Sequence, residues 1–288
     1  MSGFNPIWYF YIKESFMITF PPAKINLGLR ITGKRDDGYH DLQTIFYPVC
    51  LCDALEYIEP EEQLKEDILV VTGNIDPFPQ EDNITIKALG IMRRKRSIPH
   101  LRIHLHKAIP VGAGLGGGSS DASAFIKSLN RFFNLDLTSD ELLSIAAETG
   151  SDCPFFIFGT PAYATGRGEI LTPAEPVNGD WWLLLVGPDI HVSTAEAYRG
   201  CEPYKSDTDL ISIFNSGVEN WKGNMVNDFE KSVFKRYPLL GEIKEMIYNS
   251  GAIYASMSGS GSSIYGLFRE KPDIPAALAD MIVYSGNL

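Results

Sequence analysis

The stretch Pro110-Val-Gly-Ala-Gly-Leu-Gly-Gly-Gly-Ser-Ser-Asp121 determines the fold prediction for the rest of the chain. Five glycines fall between Gly112 and Gly118. Just before the stretch, residues 101–106 alternate apolar and polar side chains, which predicts a half-buried strand. Just after it, apolar residues from Ala122 to Phe133 recur every three or four positions, which predicts an amphipathic helix. The predicted order is therefore strand, glycine loop and helix.

The start of a helix directly behind the glycines indicates a site for an anion. Glycine has no Cβ, so backbone N–H groups can approach an anion closely. The unpaired N–H groups and the dipole at a helix N-terminus favour a phosphate, and Ser119 and Ser120 stand at that start. A loop that is merely flexible is the alternative, but flexibility does not require a helix start. We predict that the loop holds phosphate.

The glycine loop differs from two common phosphate loops. No Gly-Lys-Ser or Gly-Lys-Thr closes it, so it is not a Walker A loop. Gly112, Gly114 and Gly117 match the dinucleotide pattern Gly-x-Gly-x-x-Gly, and Asp136 follows at about the expected distance of 20 residues. A dinucleotide fold needs a continuously apolar strand before the loop and another strand after the helix. Here the strand alternates, and Thr138–Glu141 predicts a capping box that opens a second helix.

Composition restricts the partners of the chain. Its 288 residues suffice for one large domain or two of ordinary size. The net charge of −11 argues against nucleic acid and anionic membranes as partners. No apolar run approaches the roughly 20 residues of a membrane-spanning helix. The one basic run, Arg93–Arg96, is expected to end a helix, where it would complement the helix dipole.

The cysteine and histidine patterns predict no metal site or disulfide framework. No pair of cysteines forms Cys-x-x-Cys, so we expect reduced thiols in a cytoplasm. His104 and His106 share a strand face and could bind a metal. Without a third ligand nearby, a solvated face is the preferred interpretation. The four cysteines are Cys50, Cys52, Cys153 and Cys201.

The division into domains is predicted from turns. Met17 starts the first predicted strand, so we hypothesise that residues 1–16 are a dispensable extension. The turn Val177–Asp180 marks a boundary. The prediction is an N-terminal nucleotide-binding domain over 17–178 and a C-terminal domain over 179–288.

An early strand, Ala23–Ile31, carries polar side chains on one face, and these include Lys24 and Asn26. A turn at 35–38 leads into a return strand that begins at Tyr39.

Further signals concern helix ends. Asn83 is predicted to cap a helix, and Gly150 to end one in the left-handed conformation. Ser193–Glu196 predicts a capping box, and Ile274–Tyr284 a final helix.

In addition to the glycine loop, three separate signals suit phosphoryl transfer. Two of them are Lys24, on an early strand, and Asp152, in a loop before Pro154. A second glycine-serine loop, Gly259–Ser262, joins two late predicted strands. Phosphoryl transfer needs amides around phosphates, a cation near the developing charge and a carboxylate that takes a hydroxyl proton. The ordinary alternatives are a solvated strand lysine and a helix N-cap aspartate.

The motifs resemble those of the galactokinase, homoserine, mevalonate and phosphomevalonate (GHMP) kinase superfamily, over about residues 17–268. The three stretches similar to its motifs are Pro22–Leu27, Pro110–Ala122 and Met257–Gly261. Two more, Lys34–Thr44 and Gly150–Phe156, are similar to the members that act on a cytidine-diphosphate-linked methylerythritol. The late loop departs from the family pattern, because no proline follows its second glycine.

The resemblance implies a fold and an activity. The fold would be α+β, with an N-terminal domain related to a ribosomal-protein fold, a C-terminal ferredoxin-like domain and the site in the cleft between them. The activity would be ATP-dependent phosphorylation of the acceptor's 2-hydroxyl in the non-mevalonate pathway to isoprenoid precursors. Asp152 would be the general base, and Lys24 would orient it. Mg²⁺ would accompany ATP, although no carboxylate cluster marks a protein site for it. The expected form is a cytoplasmic monomer or homodimer.

The resemblance also implies binding residues. Tyr39 and His40 would hold the cytosine, Asn26 the methylerythritol end, and Thr194 and Tyr198 the other side of the acceptor. Tyr198 stands where the resembled enzymes carry phenylalanine. The ATP contacts would be Asn83, Pro110, Gly112, Gly114, Leu115, Gly116, Gly117, Gly118, Ser119 and Ser120.

Three alternatives remain open from the sequence. The first is a GHMP kinase for homoserine, mevalonate or a sugar, against which the tract Gly38–Asp41 argues. The second is a ligand-binding regulator without turnover, against which the presence of both Lys24 and Asp152 argues. The third is a nucleic-acid binder, which conflicts with the acidic charge.

Overall fold

The computed structural model describes residues 10–12, 16–73, 79–201, 203 and 208–288. Its strands, in chain order, are β1 (Phe10–Ile12), β2 (Phe16–Thr19), β3 (Pro22–Lys34), β4 (His40–Cys52), β5 (Ala54–Ile58), β6 (Ile68–Gly73), β7 (Arg102–Lys107), β8 (Ala162–Thr165), β9 (Ile170–Pro173), β10 (Trp182–Val186), β11 (Tyr254–Met257), β12 (Ile264–Phe268) and β13 (Ile282–Asn287). Its α-helices are α1 (Ile84–Lys95), α2 (Gly117–Phe132), α3 (Ser139–Thr149), α4 (Cys153–Phe158), α5 (Thr194–Arg199), α6 (Leu210–Asn215), α7 (Glu230–Arg236) and α8 (Pro238–Asn249). Short 3-10 helices cover Gln80–Asp82, Val218–Asn220 and Ala276–Met281.

The chain folds into two compact units, each of which mixes helices and strands. Unit 1 comprises Met1–Ala23, Leu51–Val111 and Gly116–Thr160, and unit 2 comprises Lys24–Cys50, Gly112–Leu115 and Pro161–Leu288. The predicted α+β class is therefore confirmed. The domain boundaries drawn from the sequence, 17–178 and 179–288, stay a prediction. The helices of the described residues include none with the length and hydropathy that a membrane crossing requires.

Unit 1 is a five-stranded sheet covered by α1 to α4. The strand order is β1-β2-β5-β7-β6, with β6 parallel to β7. Ile103 and Leu105 on β7 are buried and alternate with polar residues, as the sequence predicts. They join the core that Phe125 and Leu129 of α2 form, because the apolar face of that helix meets the apolar face of the sheet. This packing places the N-terminus of α2 directly behind the glycine loop.

Unit 2 contains two four-stranded sheets, in the orders β3-β4-β8-β9 and β11-β12-β10-β13. The second sheet packs with α7 and α8 around a core that includes Leu184, Phe229, Ile243 and Ile264. The late glycine-serine loop connects β11 to β12, which pair as antiparallel neighbours. Both predicted late strands are thus confirmed.

The polar face of β3 is present but is not solvated. Lys24, Asn26 and Arg30 are 4%, 2% and 5% exposed. Burial of polar groups requires hydrogen-bond partners, so these side chains must be fixed by specific contacts. The interpretation of Lys24 as a solvated strand lysine is therefore wrong.

Two expected helix ends are wrong. Gly150 ends α3 at φ −172°, in extended rather than left-handed backbone. Close packing explains the small residue, since an added Cβ would lie 3.1 Å from Ile84 Cδ1. Ser193 precedes α5 without a side-chain capping bond. Its expected box partner, Glu196, instead pairs with Arg236 at 2.5 Å.

The predicted final helix is also wrong. A 3-10 helix over Ala276–Met281 is followed by β13, which pairs with β10. Ile282-Val-Tyr284 is β-branched and aromatic, a composition that favours a strand at the open side of β10.

Part of the proposed N-terminal extension belongs to the sheet of unit 1. Phe10–Ile12 forms β1, which pairs antiparallel with β2. The remainder of residues 1–16, up to the start of β2, lies outside the described residues, and the dispensability of the extension stays a prediction.

Candidate active site

Lys24 is fixed at the start of β3 by two acceptors. Its Nζ donates to Asn26 Oδ1 at 2.6 Å and to the carbonyl oxygen of Gly114 at 2.9 Å. The ammonium also lies 5.2 Å from the ring centroid of Phe46. Asn26 in turn donates from Nδ2 to Thr44 Oγ1 at 2.9 Å. The structure thus joins the strand motif that carries Lys24 and Asn26 to the glycine loop, which the sequence placed in a separate motif.

Gly114 occupies a position that only glycine can take. Its φ is +79°, and an added Cβ would lie 2.0 Å from the carbonyl oxygen of Ser258. The Gly114 carbonyl accepts hydrogen bonds from Lys24 Nζ and from Ser258 Oγ, both at 2.9 Å. The glycine loop and the late glycine-serine loop therefore touch here.

Two residues that hold the late loop were missed by the sequence analysis. Ser258 Oγ accepts the Asn26 N–H at 3.3 Å as well as donating to Gly114. Asn227, 3% exposed, donates from Nδ2 to the carbonyls of Met257 and Gly259, each at 2.8 Å. Ser258 lies within a quoted motif, which could have identified it. Asn227 has no local signal, because its partners are 30 and 32 positions away.

The glycine loop enters α2 as predicted. Gly116 is the N-cap and has φ +70°, in the left-handed region that favours glycine. An added Cβ on Gly117 would lie 2.9 Å from Ile109 Cγ2, so the loop packs against the end of the preceding strand. The first N–H groups of a helix have no partner within the helix, and they can therefore bind a phosphate. Ser120, in the first turn, is buried, and its Oγ has no hydrogen-bond partner among the described residues.

A buried charge cluster beneath the helix start was also missed. Lys107 Nζ contacts Asp53 Oδ2 and lies 2.5 Å from Asp121 Oδ2, and all three side chains are buried. Asp53 Oδ1 also accepts the N–H groups of Ala108 and Ile109, at 2.6 and 2.8 Å. Burial raises the pKa of Asp121 well above its usual range. The cluster ties β5, β7 and α2 together just before the glycine loop.

Asp152 is the N-cap residue of α4, and Pro154 lies in the first turn of that helix. Its side chain makes no capping hydrogen bond, and its backbone is in the right-handed helical region at φ −87° and ψ −10°. Ser123 of α2 fixes the neighbouring backbone, because its Oγ donates to the Cys153 carbonyl at 2.9 Å. Capping therefore does not account for the carboxylate, while its pairing with Lys24 stays a prediction.

Asn83 caps the helix α1, as the sequence predicts. Its Oδ1 accepts the Thr85 N–H at 2.8 Å and caps α1, and the residue is 5% exposed. Its expected contact with the nucleotide stays a prediction.

Aromatic side chains lie close together in unit 2. The rings of His40 and Tyr198 stack with centroids 5.1 Å apart and planes at 23°. Tyr198 also meets the edge of Phe229, with centroids 4.9 Å apart. Tyr39 is 57% exposed, and the guanidinium of Arg167 lies 4.4 Å from its ring centroid.

Thr194 begins α5, and its Oγ1 lies 3.2 Å from Ser260 Oγ of the late loop. The structure thus associates one expected acceptor-binding residue with that loop.

In the part of the chain that the structure describes, no group of three or more His, Cys, Asp or Glu residues is arranged so that it could hold a metal ion. His104 and His106 both share hydrogen bonds with Thr72 Oγ1, at 2.8 and 3.0 Å. No disulfide joins the four cysteines, all of which lie among the described residues.

Known proteins resemble the chain over almost its whole length. Residues 83–160 match the family profile described as GHMP kinases N terminal domain, and residues 213–283 match GHMP kinases C terminal. A protein of Parabacteroides distasonis named 4-diphosphocytidyl-2-C-methyl-D-erythritol kinase is 51% identical over 94% of this chain and 100% of its own length. A protein of the same name from Cytophaga hutchinsonii is 44% identical over 89% of this chain and 94% of its own length.

Solved structures of kinases are also similar to this chain. The crystal structure of a 4-(cytidine 5'-diphospho)-2C-methyl-D-erythritol kinase superposes with a TM-score of 0.76 at 30% identity, covering 94% of this chain and 98% of the other. The Methanococcus jannaschii mevalonate kinase has a TM-score of 0.63 at 15% identity, covering 93% and 94% of the two chains, which is a likeness of fold alone.

Proposed function

The chain belongs to the 4-diphosphocytidyl-2-C-methyl-D-erythritol kinases of the GHMP kinase superfamily, and we propose that it transfers the γ-phosphoryl group of ATP to the 2-hydroxyl of 4-diphosphocytidyl-2-C-methyl-D-erythritol. The products would be the 2-phosphate and ADP, within the non-mevalonate route to isoprenoid precursors. The high identity over full length supports this acceptor over homoserine, mevalonate or a sugar. The superfamily's two-domain α+β fold is the fold of the chain.

One observation carries the proposal: the contact between Lys24 Nζ and the Gly114 carbonyl. It fixes a cation against the glycine loop that leads into the N-terminus of α2. Phosphoryl transfer is catalysed mainly by positioning and by charge stabilisation at the transferred group. An ammonium held beside amides that bind phosphate supplies both, because two fixed acceptors keep its Nζ in place.

The phosphates of ATP would be held by backbone N–H groups from Gly112 to Ser120, with Pro110 and Leu115 shaping the loop. The left-handed conformations of Gly112, Gly114 and Gly116 support this role, since they let successive N–H groups point outward from one turn. Asn83 would lie near the adenine or ribose.

Asp152 would accept the proton of the acceptor's 2-hydroxyl as that oxygen attacks phosphorus. The absence of a capping bond from its side chain supports this assignment over the structural one. Lys24 would orient Asp152 and stabilise charge at the reacting oxygen.

The acceptor's cytosine would lie on the aromatic side chains of unit 2. Tyr39 offers an exposed ring, and His40, oriented by its stack on Tyr198, offers a ring nitrogen to the base edge. Asn26 would contact the methylerythritol end, and Thr194 the opposite side.

Magnesium would enter bound to the phosphates of ATP. The described residues contain no acidic cluster to hold it, so the proposal assigns it no protein ligand. The enzyme would act in the cytoplasm on small molecules, as a monomer or homodimer.

A coupled assay of ADP release tests the function. The full chain is incubated with MgATP and, in turn, with the cytidylated methylerythritol, homoserine, mevalonate or galactose. We expect ADP release only with the first, and ³¹P NMR of the product should show a new phosphomonoester on the 2-oxygen. Release with another alcohol would assign a different kinase, and release with none would favour a regulator without turnover.

A further inference from the structure

A cavity in unit 2 is lined by none of the residues assigned above. It is open to solvent and has a volume of about 500 Å³, which lies within the range of pockets for small molecules. Its lining is mostly polar and combines a guanidinium with hydroxyl and amide side chains. These polar residues are Arg30, Thr208, Ser212, Ser216, Asn220 and Asn224.

Arg30 lies at this cavity, and no carboxylate of the described residues forms an ion pair with it. The residue is 5% exposed, and its Nη atoms donate to two backbone carbonyls of the described residues, those of Thr208 and, at 3.4 Å, Asn224. Among the described residues its Nε–H has no hydrogen-bond partner. The adjacent acid, Asp209, instead accepts a hydrogen bond from Tyr163 Oη at 3.3 Å. The guanidinium of arginine is positively charged, so the side chain of Arg30 places a charge in a buried position.

Buried charges in proteins are normally paired, because burial of an unpaired ion is strongly unfavourable. An anion would complement Arg30 at this cavity, and the surrounding hydroxyl and amide groups can bind the polar atoms next to it. We propose that this cavity binds a small polar molecule that carries an oxyanion, a phosphate ester or a carboxylate, and that Arg30 holds the anionic group. A guanidinium suits such a group, since its N–H donors match two oxyanion oxygens at once.

The site would serve a second ligand rather than the proposed acceptor. Arg30 shares the polar face of β3 with Lys24 but stands six positions further along, roughly 20 Å at the rise of a strand. Between the two, Leu210 of α6 packs onto Gly28, where an added Cβ would lie 2.8 Å from its Cδ1. The proposal therefore does not depend on the assigned acceptor.

Thermal unfolding of the full chain with inorganic phosphate, acetate or chloride tests the proposal. All three salts are compared at matched ionic strength, with a non-hydrolysable ATP analogue present to fill the glycine loop. We expect about 20 mM phosphate, acetate or both to raise the unfolding midpoint by about 2 °C over chloride. A response to phosphate alone assigns a phosphate ester, and an equal response to acetate assigns a site that also accepts carboxylates.

Matched variants separate binding at Arg30 from a general salt effect. Arg30→Gln should abolish the response, whereas Lys235→Gln, which removes an exposed charge from the same unit, should keep it. Ser212→Glu places a carboxylate on the cavity wall and should also abolish it, while the neutral Ser212→Gln keeps it. If Arg30→Gln does not fold, the Ser212 pair still decides. No wild-type response to either oxyanion, or an unchanged response in Arg30→Gln or Ser212→Glu, would overturn the proposal.

Discussion

Lys24 Nζ lies 2.9 Å from the carbonyl oxygen of Gly114, although the two residues are 90 positions apart in the chain. The contact joins the polar face of an early strand to the turn that precedes α2. It fixes the ammonium relative to the amides that are proposed to bind phosphate. Changes at Lys24 or at the proposed base should therefore affect turnover before they affect binding of ATP.

Asp152→Asn tests the proposed base. Because the amides of the glycine loop would still hold the phosphates, we expect ATP affinity to stay close to the wild type while kcat falls by about 10²- to 10⁴-fold. Isothermal titration and the ADP-release assay measure the two quantities. Asp140→Asn, at an exposed position of α3, is the matched control and should retain turnover. Near-normal kcat in Asp152→Asn would exclude this residue as the base.

Gly114→Ala tests the contact between the two loops. The new Cβ would meet the Ser258 carbonyl at 2.0 Å on a backbone of positive φ, so we expect a loss of about 2 kcal/mol or more of unfolding free energy. Gly90→Ala is the control, since nothing lies within 4 Å of its added Cβ and alanine in a helix should stabilise by about 0.5–1 kcal/mol. Urea denaturation compares them, and equal effects would contradict the close approach.

The two carboxylates on Lys107 should contribute unequally. Asp53 accepts two backbone N–H groups besides the lysine, whereas Asp121 Oδ1 has no partner among the described residues. We expect Asp53→Asn to cost about 3–5 kcal/mol, and Asp121→Asn clearly less because Lys107 keeps its pair with Asp53. Urea denaturation at pH 7 gives the ranking, and the reverse order would contradict this account.

Asp67 should make stability depend on pH in the acid range. Burial disfavours its charged form, but hydrogen bonds from Arg93 and the Leu101 N–H outweigh burial and lower its pKa. A lowered folded-state pKa means that the stabilisation is present above the unfolded pKa of about 3.9 and is lost as pH falls through the folded value.

Asp67→Asn should therefore be about 1–3 kcal/mol less stable than the wild type at pH 7. The difference in unfolding free energy between the variant and the wild type should become smaller below about pH 4. Denaturation from pH 7 to pH 2 measures it, with exposed Glu66→Gln as the control. If the difference in unfolding free energy did not change with pH, the substitution would act through packing and not through loss of the carboxylate charge.

Tyr198 is expected to act through its ring. Tyr198→Phe keeps the stack on His40 and should leave the KM for the cytidylated acceptor nearly unchanged. Tyr198→Leu removes the stack, and we expect KM to rise by about threefold to tenfold from a loss of about 0.5–1.5 kcal/mol, with ATP affinity preserved. Equal KM values in both variants would exclude the ring contact from acceptor binding.

Local pattern predicted much of the fold. The alternation in β7, the apolar stripe of α2 and the capping box at Thr138 and Glu141 are all confirmed, because each arises from neighbouring residues. The prediction of a final helix was wrong because it, too, used only neighbouring residues. Its periodicity carried no information about β10, whose open side pairs with β13.

The contacts that organise the site could not be predicted from patterns in the sequence. Lys107 looks like any strand lysine until Asp53, 54 positions earlier, meets it in the core. Ser258 bonds Gly114 across 144 positions. Periodicity and spacing report on one element at a time, so such partners become visible only once the chain is folded. The family resemblance named Lys24 and Asp152 but gave no reason why the lysine should be held still.

The carbonyl of Gly114 has room for two donors, and Lys24 and Ser258 already supply both. The N–H or O–H groups of a bound ligand would therefore find no unoccupied lone pair on the Gly114 carbonyl oxygen. A bound molecule could therefore donate to this carbonyl only by displacing Lys24 or Ser258.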